Sequence, residues 1–157
     1  MKLWIALYAM IWIVFLEFLL AMTPNAPGGL LYVHVVLGLG VVGLAYYNFS
    51  GVLRTAVPAR VKRIAKSTLQ LSIVMGVLGL LLFFDLGANL TILFGVTLWE
   101  LILFFHVINA FAVITQAAAV AIAYDMWEDK EFAKETTPGE LPAMPVPKTR
   151  TVPRQYS

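Results

Sequence analysis

Apolar residues fill this chain in four long blocks separated by short polar breaks. The blocks run from Leu3 to Met22, from about Leu30 to Phe49, from about Ser67 to Phe84, and from Thr91 to Tyr124. None alternates as a half-buried strand would, and each approaches or exceeds the roughly 20 residues a bilayer-crossing helix needs. The breaks carry turn residues: TPNAPGG after the first block, a helix-breaking Pro58 after the second, Asp85 after the third. The expected fold is therefore all-α, an integral membrane four-helix bundle made of two helical hairpins. The fourth block would be about 50 Å long as one helix, so it must tilt or protrude.

Polar positions inside the blocks fall on helical stripes. At 100° per residue His34, Gly38, Val41, Ala45 and Asn48 share one face of helix 2. On helix 4, His106, Asn109, Val113, Gln116 and Val120 lie within about 80° of each other, a polar seam that should face inward. Glu100 lies about 120° from His106, off that seam. Helix 3 offers Gln70, Ser72, Gly76 and Gly79 as a small, polar side, which most simply means close helix packing. There is also a weak internal repeat. HVVLGLGVV (34–42) and HVINAFAVI (106–114) both begin with histidine on the second helix of a hairpin, and a pseudo-twofold axis would bring the two imidazoles together.

Composition and charge sharpen this picture. The chain is 61% hydrophobic over 157 residues, which excludes an ordinary soluble domain. One membrane domain is expected over residues 1–127, with a polar, Pro-rich cytoplasmic tail over 128–157. Leu3 to Met22 contains Glu17 and ends without a small-residue cleavage pattern, so it reads as a retained helix rather than a signal peptide. All eleven Lys and Arg fall at Lys2, between Arg54 and Lys66, or beyond Asp125. The positive-inside rule then gives four crossings of the cell membrane with both termini cytoplasmic. The basic loop SGVLRTAVPARVKRIAK suits anionic lipid headgroups, and nothing recommends nucleic acid as a partner. The absence of cysteine excludes disulfides, iron–sulfur clusters and thiolate ligands.

The candidate chemistry lies with the histidines. His34 and His106 are the only two in the chain, and both sit in apolar blocks, where an ionisable side chain usually faces the bundle interior and has a task. Counted from the outer ends of the blocks, their depths disagree, at about 6 Å and about 20 Å. Counted from the inner aromatic markers Tyr46–Tyr47 and Tyr124, both fall in the outer half, as do Glu17, Asp85 and Glu100. Imidazoles at similar depth on facing helices could be the axial ligands of a haem iron. The residues leave open a non-haem metal, a proton relay, or histidines that only hydrogen-bond between helices. Zinc would need a third or fourth ligand, and only carboxylates are on offer.

The stretch HVVLGLGVVGLAYYNFSGVLRTAVPARVKRIAKSTLQLSIVMGVLGLL, followed by FFHVINAFAVITQ, resembles the haem A synthase family over roughly His34 to Gln116. The family pairs a histidine opening helix 2 with a basic loop, a third helix of the LQ…GVLG kind, and a fourth helix carrying His followed by Asn. Most members have eight spans, so this chain would correspond to one half, like the compact archaeal members. The resemblance implies a b-type haem with His34 and His106 as metal ligands and Gly38, Asn109 and Gln116 as its neighbours. It implies oxidation of a methyl group of haem O to the formyl group of haem A. A homo-oligomer, a haem O synthase or a terminal oxidase are the partners it suggests. Where the family carries a carboxylate shortly before the first histidine, this chain has Leu30 and Leu31, which leaves Glu17 or Glu100 to supply a catalytic carboxylate. The alternative from a different class is a b-type cytochrome anchoring a quinone-linked respiratory complex. A third is a structural subunit without cofactor.

Overall fold

The computed structural model describes residues 2–23 and 28–135. Four helices account for most of them: α1 (Leu3–Ala21), α2 (Gly28–Leu53), α3 (Ala59–Phe83) and α4 (Leu98–Glu135). Each is long and apolar enough to cross a membrane. Large apolar side chains such as Trp12, Val36, Val77 and Phe104 are exposed on their outward faces while the interior is also apolar. That distribution suits surroundings as greasy as the core itself. Each helix packs on its sequence neighbours, and α1 closes the ring against α4, so α2 and α4 stand diagonally opposed.

Helix starts and stops follow local chemistry, and three differ from the sequence expectation. Helix α2 runs on to Leu53, four residues past Phe49, because nothing in NFSGVL breaks it before the turn at Arg54–Thr55. Pro58 breaks the basic loop only on its N-terminal side. A fixed φ suits Pro to a helix entrance, and it serves here as the N-cap of α3. The following ARVKRIAK, rich in good helix formers, becomes the first two turns of α3 rather than loop.

The third difference concerns the longest apolar block. Its first seven residues are a β-hairpin, β1 (Thr91–Leu93) paired antiparallel with β2 (Val96–Thr97). Phe94 and Gly95 turn it with φ of 51° and 83°, the two positive angles of a type I′ hairpin. Helix α4 starts only afterwards, at Leu98. At its other end it continues through the acidic DMWEDKEFAKE to Glu135, the extension past the apolar block that this polar run leads one to expect. The remainder of the polar tail, 136–157, and turn residues 24–27 lie outside the described residues.

At the other side of the hairpin, α3 ends in a Schellman motif. The Leu86 amide donates to Leu81 and the Asp85 amide to Leu82, with Asp85 in the left-handed region at φ 50°. Asp tolerates that conformation better than most residues.

Packing is tight at one end and open at the other. Around the basic end, Leu7, Val52, Val57, Val61, Ala65, Val120, Ala121 and Tyr124 form one buried cluster. Midway, Met10, Val14, Val41, Ala45, Met75, Val113 and Ala117 form a second. The stripes read from sequence are therefore the inward faces of α2 and α4. On α3 the inward face is Ser72, Met75, Gly76 and Gly79; Gln70 is exposed, since two residues place it 200° from Ser72. Beyond the second cluster the four helices stop filling the space between them.

Candidate functional site: a histidine pair across an apolar cavity

The hairpin resolves the depth mismatch between the histidines. With α4 starting at Leu98 and α2 at Gly28, His106 lies about 12 Å along its helix and His34 about 9 Å along its own. Both end up in the open end of the bundle. Their rings face each other across the α2–α4 diagonal, with centroids 6.3 Å apart and planes inclined by 68°.

They border a cavity that is partly open to the surroundings and lined by all four helices. Val14 and Phe18 of α1, Val35 and Leu39 of α2, Met75 and Leu80 of α3, and Val107 and Ala110 of α4 make the wall apolar. Only Glu17, His34 and His106 among the lining residues carry ionisable side chains. Gly38, Gly76 and Gly79 line the cavity as well. Gly79 makes room for a ring: a Cβ built there would stand 3.2 Å from His106 Cε1.

Glu17 is the partner that sequence reading left undecided. Its Oε2 lies 2.6 Å from His34 Nδ1, and the carboxylate is almost wholly buried. Its other oxygen, Oε1, has no hydrogen-bond partner among the described residues. The two atoms are close but not aligned as a hydrogen bond, since His34 Nδ1 has no hydrogen-bond partner among the described residues. His106 has a backbone neighbour in place of a carboxylate. The Met75 backbone carbonyl lies beside its ring, but its buried Nδ1 is not aligned on any acceptor.

The remaining residues named from sequence lie elsewhere. Asn109 is buried, but its side-chain nitrogen donates to the Leu71 carbonyl at 2.8 Å, stitching α4 to α3 below the cavity. Gln116 lies three turns beyond His106, where its Oε1 is 3.5 Å from Thr68 Oγ1. Glu100 is exposed and closes a capping box at the start of α4. Its carboxylate accepts from the Thr97 amide at 2.8 Å and from the Thr97 hydroxyl at 2.9 Å, while the Glu100 amide donates to the same hydroxyl. So Glu17, His34, Gly38 and His106 come together, and Asn109, Gln116 and Glu100 serve helix packing and capping.

What could such a pair hold? Among the described residues no group of three or more His, Cys, Asp or Glu is placed to bind a metal ion. That speaks against a protein-only site of the zinc type, which needs three or four side chains. A porphyrin brings its own four nitrogens and asks the protein for two axial ones. A metal–imidazole bond is about 2.0–2.1 Å and a ring nitrogen stands roughly 1 Å from its ring centre, so two imidazoles on one metal have centroids roughly 6 Å apart. The observed separation meets that requirement, as do the apolar walls and the carboxylate behind His34. No protein-family model, curated protein or solved structure matches the chain.

Proposed function

We propose that this is a four-span membrane haem protein of the haem A synthase type, its two termini cytoplasmic and its two hairpins related by a pseudo-twofold axis. The observation that carries the haem is the pair of imidazoles 6.3 Å apart across an apolar cavity. His34 and His106 would hold the haem iron, and the apolar walls would receive the porphyrin and exclude water. The reaction comes from the sequence resemblance: oxidation of a methyl group of haem O to the formyl group of haem A, in which water would supply the oxygen and an external electron acceptor would take up the electrons by way of the haem iron. Glu17 orients His34, Gly79 leaves space for His106, and the basic first turns of α3 lie among anionic lipid headgroups. A haem O synthase upstream, a terminal oxidase downstream and self-association are the partnerships this reading carries.

A second reading, a b-type cytochrome passing electrons to a quinone-linked complex, is favoured by one observation. Glu100 is engaged by Thr97 away from the cavity, and Glu17, the one carboxylate lining it among the described residues, already contacts His34. Pigment extraction after co-expression with a source of haem O separates the two. Haem A in the extract supports the synthase, and haem b alone supports the cytochrome. Full haem content in both His34→Ala and His106→Ala proteins would overturn the two readings together.

A further inference from the structure

The two histidines are not equivalent, and the difference lies behind the rings rather than between them. His34 Nδ1 is 2.6 Å from a carboxylate oxygen of Glu17, though not aligned on it as a hydrogen bond. His106 has the neutral Met75 backbone carbonyl beside it in place of a carboxylate, and its Nδ1 is likewise unaligned. Glu17 is buried on α1, with Gly38 of α2 beside its carboxylate. His34 therefore cannot turn without breaking the contact to Glu17. His106 has only the Met75 carbonyl behind it and packs against Gly79.

From this we infer that Glu17 is a positioning residue that makes His34 the fixed ligand and leaves His106 the displaceable one, so that a small exogenous ligand enters on the α4 side of the haem. The inference rests on the haem reading above. Outer partners of metal-bound histidine orient the ring and strengthen its nitrogen as a donor, and their loss commonly costs about 10–100-fold in affinity. Only one of the two rings here has a carboxylate in that role. The iron would then be held from α2 and opened from α4. This is an arrangement that serves small-molecule chemistry on one face of a porphyrin better than it serves outer-sphere electron transfer alone.

The test uses the full chain purified in detergent, with haem per protein, the optical spin-state bands and carbon monoxide binding to the reduced form as readouts. Helical circular dichroism reports whether each variant folds. His106→Gly is expected to keep most of its haem, become high-spin and bind carbon monoxide at least tenfold faster than the parent. His34→Gly is expected to lose most of its haem and recover it when imidazole is added. Glu17→Leu is expected to lower haem affinity about 10–100-fold. Glu17→Gln, which can still accept from Nδ1, should keep the haem but shift its midpoint potential upward as the negative charge is lost. Equal behaviour of His34→Gly and His106→Gly, or an unmoved potential in Glu17→Gln, would overturn the inference and leave the haem reading standing. A folded parent protein that takes up no haem would overturn both.

Discussion

The Tyr8 hydroxyl donates a hydrogen bond to Oδ2 of Asp125, joining the second turn of α1 to the far part of α4 across 117 residues of sequence. It closes the ring of helices at the basic end, below the tightly packed cluster and far from the histidines. Tyr8→Phe removes the donor without changing the ring that packs on that cluster. A hydrogen bond to a charged acceptor contributes about 1.5–3 kcal/mol when protected, and this one is only partly buried, so a loss of about 1 kcal/mol is expected. Reversible unfolding in mixed detergent measures it. Haem content of the folded fraction should not change.

The capping box at Thr97 and Glu100 gives a second expectation, and it separates a structural carboxylate from a catalytic one. Thr97→Ala removes the cap from the orphan amides of α4 and should cost about 0.5–2 kcal/mol of stability, the usual range for losing such a cap. Glu100→Gln keeps an acceptor for the Thr97 amide and should be milder than Glu100→Ala. In all three variants pigment bound per folded protein, and its conversion to haem A if conversion occurs, should match the parent. A Glu100→Gln protein that binds haem normally but has lost conversion would return Glu100 to the chemistry.

How much of this could be read from the residues alone depends on whether a feature has a local signature. The four spans and the inward stripes were legible because a helix repeats every 3.6 residues, so His34, Val41, Ala45 and Asn48 had to share a face. The hairpin at 91–97 was not, because TILFGVTLWE is as apolar as the helix that follows it and length alone argued for one continuous span. Gly95 and the Thr97-x-x-Glu100 spacing were the signals available, and apolar neighbours on both sides outweighed them. The Glu17–His34 pair was out of reach for another reason. It depends on the rotation of α1 about its own axis, and an apolar helix with no strong polar face leaves that rotation unspecified by its sequence. Asn109 and Gln116 share a stripe with His106, but sharing a face says nothing about depth. Each turn moves a residue about 5.4 Å down the bundle, out of the cavity and into the packed seam.

That seam supports a third expectation. Asn109 donates to the Leu71 carbonyl, an oxygen in the middle of α3, and both groups are shielded by the bundle. Interhelical hydrogen bonds of this kind in membrane proteins contribute about 0.6 kcal/mol on average and up to about 1.7. Asn109→Leu should therefore lower stability by about 0.5–1.5 kcal/mol in the same unfolding measurement. The position of its absorption bands should be unaffected. A spectral shift with unchanged stability would place Asn109 at the porphyrin instead of between helices.

Gly79 makes the sharpest separation between holding the fold and holding a ligand. An added methyl group would meet His106 Cε1 at 3.2 Å, tighter than ordinary contact, so the ring must move by a few tenths of an ångström. Alanine is also the better helix former by up to about 1 kcal/mol. Gly79→Ala should thus be at least as stable as the parent while its haem bands shift and its haem is retained less well. Gly79→Val adds two further carbons against the ring and should lose most of the haem with helical content intact. The control is Gly43→Val on α2, where a Cβ meets nothing within 4 Å and neither fold nor pigment should respond. Parent-like haem in Gly79→Val would mean that the His106 ring does not depend on this space, and its role as a ligand would have to be reconsidered.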